Sequence, residues 1–284
     1  MRVLVTGASG LLGSAIVREF SSDADVCALN RAALDVSDEQ AVSATIAAQR
    51  PDVVINCAAY NDVDGAETDP VTAFRVNAFA ALALARAAGA AGATFVHYGS
   101  DFVFDGEASR PYTEEDAPNP RGAYATSKLL GDWFALEYER TYGLRVESLF
   151  GEPNPGGSRV GSLGKIVAGI RLGAEVPVFV DRVVSPSYTA DVARATRTLV
   201  ETRPPSGLYH CVNGGAASWA EIAAEAARGL GLPLRMKPIT LETAALKAPR
   251  PRYCAMSNAK LAAAGVIMPT WQEALQQYIR IANP

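Results

Sequence analysis

Histidine and cysteine are scarce in this chain. It has two histidines, His97 and His210, and four cysteines, Cys27, Cys57, Cys211 and Cys254, none in a paired spacing. Neither a zinc site nor a disulfide framework is expected from such a pattern. An excess of one charge is lacking too: 26 Lys and Arg against 30 Asp and Glu leave a formal charge of -4. Without a basic excess there is no bulk electrostatic drive toward nucleic acid or an anionic membrane. No charged-then-apolar leader opens the sequence, and the Ala-rich stretch after Asn77 is broken by Arg86, so no membrane-spanning run is expected. Internal repeats, low-complexity tracts and heptads are absent. A cytoplasmic protein with reduced thiols is the expectation. What remains is a globular balance, 49% hydrophobic and 20% charged over 284 residues. That is enough to build a core without staples, and it excludes a disordered chain.

The first half alternates short β-rich runs with helical stretches. Strands are predicted at Arg2–Thr6, Ala24–Asn30, Asp52–Cys57, Thr94–Tyr98 and Leu144–Phe150, and helices at Leu11–Phe20, Asp38–Gln49, Val71–Ala91 and Ala123–Tyr142. This alternation predicts an α/β fold, a doubly wound parallel sheet with helices on both faces. The second half is less regular. Helices are predicted at Ser162–Leu172, Ala190–Thr202, Ser218–Leu230 and Trp271–Ile281, with Gly- and Pro-rich loops at Glu152–Gly157, Arg203–Gly207 and Lys247–Pro251. The expected division is a nucleotide-type domain over 1–150 plus roughly 178–212. A smaller domain covers roughly 151–177 and 213–284.

Between the first strand and first helix lies Val5-Thr6-Gly7-Ala8-Ser9-Gly10-Leu11-Leu12-Gly13, with glycines spaced GxxGxxG. Gly7 permits a tight turn, Gly10 lets a phosphate approach the backbone, and Gly13 lets the helix pack closely on the strand. Free amides and the dipole at the helix start favour a pyrophosphate. The other reading is a ligand-free strand-to-helix turn. No Gly-Lys-Ser/Thr ending is present, so this is not a P-loop. The second strand ends at Asn30-Arg31, with Asp35 beyond. Arg31 is either a partner for the 2′-phosphate of NADP or a solvated surface charge.

Tyr124 and Lys128 stand four apart in a helical stretch and share one face. An ammonium beside a phenol favours its ionised form, so Lys128 is expected to lower the Tyr124 pKa and fit it for proton transfer. The other reading is a half-buried tyrosine beside a solvated lysine. Ser100 is predicted just past a parallel strand, at the edge where such sheets bind ligands. There its hydroxyl can hold a carbonyl oxygen in line with the Tyr124 proton.

These pieces, with Leu34-Asp35-Val36, Asn56-Cys57-Ala58-Ala59-Tyr60, Val63-Asp64-Gly65-Ala66-Glu67, Val76-Asn77, Ser100-Asp101-Phe102-Val103-Phe104-Asp105-Gly106, Ser185-Pro186-Ser187-Tyr188-Thr189-Ala190-Asp191 and Arg250-Pro251-Arg252, resemble the extended short-chain dehydrogenase/reductases. Among them the sequence is most similar to the dTDP-4-dehydrorhamnose reductase family, along essentially the whole chain. The resemblance implies a Rossmann-like sheet with a smaller α/β substrate domain. It implies NADP(H), with NAD(H) as the alternative, and a nucleotide-activated 4-keto-6-deoxy sugar. Tyr124 would give the proton, Lys128 would hold the nicotinamide ribose, and Ser100 would fix the carbonyl oxygen. Asp101 and Phe102 would lie near the sugar. Gly10, Leu11 and Leu12 would meet the pyrophosphate, Asp35 and Val36 would flank the adenine, and Ala58, Ala59, Tyr60 and Asn77 would line the nicotinamide half. Arg250 is either a diphosphate ligand or a solvated charge. A homodimer is compatible with such a fold.

The departures fall on the substrate side. Ser100 replaces a common Thr, Phe102 a Tyr, Ser148 a Trp that packs on the sugar, Arg182 a Gln and Val184 a Gly. Tyr188, Trp219 and Tyr253 are candidates by position for the lost ring. Ala15 stands where some relatives have a Glu for magnesium, so no such metal is expected. His97 and His210 are read as interior groups and the cysteines as apolar fillers. Two other functions fit the same residues. One is an epimerase or dehydratase that recycles its cofactor. A dehydratase needs two carboxylates, and Ser100-Asp101 supplies one. The other is a non-catalytic NADP-binding subunit resembling the regulatory β subunit of methionine adenosyltransferase.

Overall fold

The computed structural model describes residues 1–152 and 161–281. The N-terminal elements are β1 (Arg2–Thr6), α1 (Leu11–Phe20), β2 (Asp25–Leu29), α2 (Glu39–Gln49), β3 (Val53–Asn56), α3 (Val63–Thr68) and α4 (Pro70–Phe74). A π-helical segment, Arg75–Phe79, joins α4 to α5 (Ala80–Ala90). Next come β4 (Thr94–Ser100), a 3₁₀ turn (Asp101–Val103), α6 (Ala123–Leu136) and β5 (Thr141–Val146). The remainder comprises α7 (Ser162–Arg171), β6 (Val176–Phe179), β7 (Val183–Val184), α8 (Thr189–Thr202), β8 (Gly207–His210), β9 (Ala217–Ser218), α9 (Trp219–Leu230), β10 (Met236–Ile239), α10 (Ala259–Ala263) and α11 (Trp271–Ile281).

Six strands form one parallel sheet in the order β2-β1-β3-β4-β5-β8. Every residue of β3, β4 and β5 is buried, which is why these strands read as nearly continuous apolar runs. Alternate side chains of β1 enter different cores. Val3 and Val5 pack with Ile16 and Leu199 of α1 and α8. Leu4 packs with Ile46 and Leu84 of α2 and α5. A further core gathers Leu163, Ile166, Trp219, Ile222, Leu275 and Tyr278 from α7, α9 and α11. It lies over a two-stranded sheet of β6 and β10.

The structure corrects three expectations. The helix predicted over Ala123–Tyr142 stops at Leu136, and the strand predicted over Leu144–Phe150 is instead Thr141–Val146. The β-prone pair Thr141-Tyr142 is buried in register with Phe95 and Val96 of β4. The chain then leaves the sheet: the Glu147 N–H donates to Ser187 Oγ at 3.3 Å and Ser148 takes φ 44°. Third, helix 70–90 is by length and composition apolar enough to cross a membrane. Here it serves as a core helix, with Ala80, Leu84, Ala85 and Ala88 among its buried residues. The loop predicted from Glu152 to Gly157 lies mostly outside the described residues, from position 153 onward.

Candidate active site

The parallel order brings the carboxyl ends of β1, β2, β3 and β4 to one edge, and β1 and β3 meet where the strand order reverses. Gly7 follows β1 with φ 64°, and a Cβ there would lie 2.6 Å from the Ala58 nitrogen. A Cβ on Gly13 would lie 2.2 Å from the Gly7 carbonyl oxygen, so α1 packs hard on the turn. Gly10 is exposed and forms the N-cap of α1 without any side-chain cap. The first-turn amides, which include those of Leu11 and Leu12, therefore receive no side-chain cap from the N-cap residue. This cradle fits a pyrophosphate.

At the end of β2, Asn30 accepts from the Ala33 N–H at 3.0 Å and Arg31 is exposed. The Asp35 carboxylate is held below its usual range by the Ser37 hydroxyl first, then by the Ser37 backbone N–H, with smaller help from Arg31 and Arg75. Arg75, in the π-helical segment, thus shares the neighbourhood of Arg31; no sequence motif marked it. The Val36 side chain is largely buried and packs in the core with Leu34.

At the ends of β1, β3 and β4 a buried chain runs Thr6–Asn56–His97. Thr6 Oγ1 donates to Asn56 Oδ1 at 2.7 Å, and Asn56 Nδ2 lies 3.2 Å from His97 Nδ1. Asn56 Oδ1 also accepts from the Ala58 N–H at 3.2 Å. Ala58, Ala59 and Tyr60 follow, half-buried. Asn77, expected to line the nicotinamide half of the cofactor, is buried and hydrogen-bonded to protein groups. Its Oδ1 accepts from the Tyr60 N–H at 2.8 Å, and its Nδ2 donates to Tyr60 O at 3.1 Å and Ser127 Oγ at 3.0 Å. Asn77 therefore fixes the Tyr60 segment against α6.

Ser100 closes β4, and its Oγ accepts from the Phe102 N–H at 3.2 Å to start the 3₁₀ turn. Tyr124 and Lys128 lie on the buried face of α6. Burial pushes the Tyr124 phenol up to about 12; the Ser100 hydroxyl, as a hydrogen-bonding neighbour, and Arg250 pull it down, while Asp101 and Asp132 push it up. This overturns the expectation that Lys128 acidifies Tyr124. Lys128 Nζ donates to the Tyr98 carbonyl at 2.5 Å. Burial also holds the Lys128 ammonium below its usual range.

Beside them, Asp101, Glu147 and Cys254 each present one polar atom within 4.8 Å of the others, all buried. The bend after β5 delivers Glu147, which the sequence reading missed because it sat inside a predicted strand. Asp101 Oδ1 accepts from Ser100 Oγ at 3.1 Å. Arg182 reaches the cluster through Nη2, 3.3 Å from Cys254 Sγ, while its Nε donates to Pro251 O at 3.1 Å. Phe102 meets Tyr124 edge-on at 5.5 Å, with the guanidinium groups of Arg182 and Arg250 5.9 and 5.7 Å from its ring centre. Arg250 pairs with Asp64 at 3.1 Å, and its side chain is 12% exposed. It is therefore no solvated loop charge.

Of the rings offered in place of a tryptophan at Ser148, Tyr188 and Trp219 are buried in the core around α9 and α11. Tyr253 is half-buried near Tyr112. Phe102 is the ring that lies against Tyr124. Ala15 is buried in α1. All four cysteines are free, and burial raises each thiol above its usual range, as expected of apolar fillers. His210 is buried but only partly satisfied: Nδ1 lies 3.2 Å from Tyr112 O and Nε2 has no hydrogen-bond partner.

A parallel α/β sheet with a glycine turn and a Ser-Tyr-Lys set at the same edge defines a dinucleotide-binding fold of the short-chain dehydrogenase/reductase type. Residues 1–283 match the family model described as RmlD substrate binding domain, and the chain belongs to that family. It is 36% identical over 288 residues to a dTDP-4-dehydrorhamnose reductase of Streptomyces griseus, covering 97% of this chain and 92% of the relative. Among solved structures, it matches a dTDP-4-dehydrorhamnose reductase of Clostridium acetobutylicum with TM-score 0.92 and 32% identity, each chain fully covered. It matches a Bacillus anthracis reductase, solved in complex with NADP, with TM-score 0.92 and 29% identity over 99% of each chain.

Proposed function

We propose that this protein is a cytoplasmic reductase that uses NADPH to reduce the keto group of a nucleotide-activated 4-keto-6-deoxy sugar. The observation that carries the reading is the convergence of Ser100, Tyr124 and Lys128 at the edge that also holds the Gly7–Gly13 turn. When bound, the dihydronicotinamide supplies hydride to the keto carbon. The α1 amides hold the pyrophosphate, Arg31 and Arg75 take the 2′-phosphate, and Lys128 holds the nicotinamide ribose. Ser100 Oγ fixes the carbonyl oxygen. Tyr124, kept protonated by burial, gives its proton to the oxygen as it becomes an alkoxide. Arg250, tied to Asp64, faces the diphosphate, and the smaller unit over roughly 151–177 and 213–284 receives the sugar.

Turnover consumes cofactor, which separates this reading from an epimerase, a dehydratase or a non-catalytic subunit. NADPH oxidation is followed with a panel of nucleotide 4-keto sugars. Tyr124→Phe is expected to lower kcat by about 10²–10⁴ while cofactor still binds. Absence of turnover with every sugar, or an undiminished Tyr124→Phe, defeats the proposal.

A further inference from the structure

Among the described residues, two buried carboxyls, Asp101 and Glu147, face one shared guanidinium, that of Arg182. Asp101 is 4% and Glu147 1% exposed. Arg182 is the cation acting on both. Arg250, whose guanidinium lies 5.7 Å from the Phe102 ring centre, is paired with Asp64 at 3.1 Å. Ser185 gives its N–H to Glu147 Oε2 at 2.6 Å, and Ser100 its hydroxyl to Asp101. Cys254 and Tyr253 are neutral groups whose ionisation this cluster opposes. Glu147 Oε1 is buried without a hydrogen-bond partner. Two ionised carboxylates beside one guanidinium leave an unbalanced buried charge, and binding one proton removes it.

We propose that Asp101 and Glu147 share a single proton, and that this proton, passed through Ser100 Oγ, restores the Tyr124 phenol after Tyr124 has protonated the product. The inference rests on the reductase reading above. The step balances. Tyr124 Oη–H breaks as the product O–H forms, and the phenolate then takes the Ser100 hydroxyl proton. Ser100 Oγ takes the proton of the Asp101 carboxyl, and the acid pair regains one proton from water as product leaves. Glu147 touches no reacting atom. It is a positioning residue: its carboxyl, brought within 4.8 Å of Asp101 and Cys254, gives the pair a second buried acid and so one proton to hold. Burial raises both acids, Asp101 to about 6 and Glu147 well above the usual carboxylate range.

The test uses Glu147→Gln, which keeps an acceptor for the Ser185 N–H and removes the second charge. Infrared spectroscopy of the wild-type chain at neutral pH is expected to show a protonated-carboxyl band that Glu147→Gln loses. Glu147→Gln is also expected to lower kcat about tenfold at unchanged KM. The alkaline limb of its kcat–pH profile should move to lower pH, because Asp101 now faces Arg182 alone. Turnover without the band in wild type overturns the relay and leaves the reductase reading standing. A band with no turnover on any keto sugar overturns both. A band lost in Glu147→Gln with an unmoved kcat profile overturns the relay.

Discussion

Glu67 accepts the backbone N–H of Ala123 at 2.7 Å, across 56 residues of sequence. Ala123 is the first residue of α6, the helix that carries Tyr124 and Lys128. Gly122, at φ 91°, lets the carboxylate approach, since a Cβ there would lie 2.5 Å from Glu67 Oε1. The carboxylate thus serves as a cap supplied from α3, with the sign that suits a helix start. Glu67→Ala is expected to cost about 1 kcal/mol of stability and to lower kcat through a loosened first turn. Glu67→Gln keeps an acceptor and is expected to fall between. Urea unfolding and steady-state kinetics check the order; a Glu67→Ala chain with wild-type kcat and stability contradicts it.

Arg31 and Arg75 come from separate elements yet act on the same Asp35 carboxylate. On the proposed reading, guanidinium groups from the end of β2 and from the π-helical segment would serve a 2′-phosphate. Arg31→Ala is expected to raise the KM for NADPH about tenfold, which is about 1.4 kcal/mol, and to leave the KM for NADH within a factor of about two. Arg75→Ala is expected to act in the same direction. The measurement is the KM ratio for the two cofactors; equal effects on both count against the assignment.

The parts of the site with a local cause were legible in the sequence. The glycine turn needs φ > 0 at Gly7 and tight packing at Gly13, and only glycine permits both. Tyr124 and Lys128 share a helix face by spacing alone. Ser100 follows from where a buried strand must end. Contacts made across the chain were not legible. Glu147 looked like a strand residue because it falls inside the β-prone stretch Leu144–Phe150; the departure from the sheet is set by Ser187 and by Ser148 in a left-handed conformation. Asn77 sat in a motif but is consumed by Tyr60 and Ser127, 17 and 50 residues away. The protonation of Tyr124 was misjudged because spacing gives proximity to Lys128 but says nothing of burial, the larger effect here.

Both histidines are buried and held neutral by burial, His210 with its pKa near about 3. In the unfolded chain each takes a proton below its ordinary value of 6.5. The unfolded state therefore binds more protons below that pH, and stability contributed by neutral His210 is full above it and declines as pH falls. The slope is about 1.4 kcal/mol per pH unit for one histidine. His210→Gln removes that term. Between pH ~7 and pH ~5 the wild type is expected to lose about 2 kcal/mol more than His210→Gln. Urea titrations at the two pH values check this, and equal losses contradict it.

Asp132 and Arg145 form a buried pair, Nε to Oδ2 at 3.0 Å, with exposures of 1% and 2%. Gly99 makes room for it, since a Cβ there would stand 2.5 Å from Asp132 Oδ1. The guanidinium also faces the Phe104 ring at 5.2 Å. Removing one partner leaves the other charge buried without compensation, which costs more than the pair itself contributes. Asp132→Asn is expected to lower stability by about 3–5 kcal/mol. The double variant Asp132→Asn with Arg145→Met removes the stranded charge and is expected to recover part of that loss. Asp132 sits one helical turn beyond Lys128 and opposes the lowering of its pKa, so the single variant also shifts Lys128 further down. Thermal unfolding of the three chains checks the claim. If the double variant is no more stable than Asp132→Asn, the loss comes from packing and not from the unpaired guanidinium.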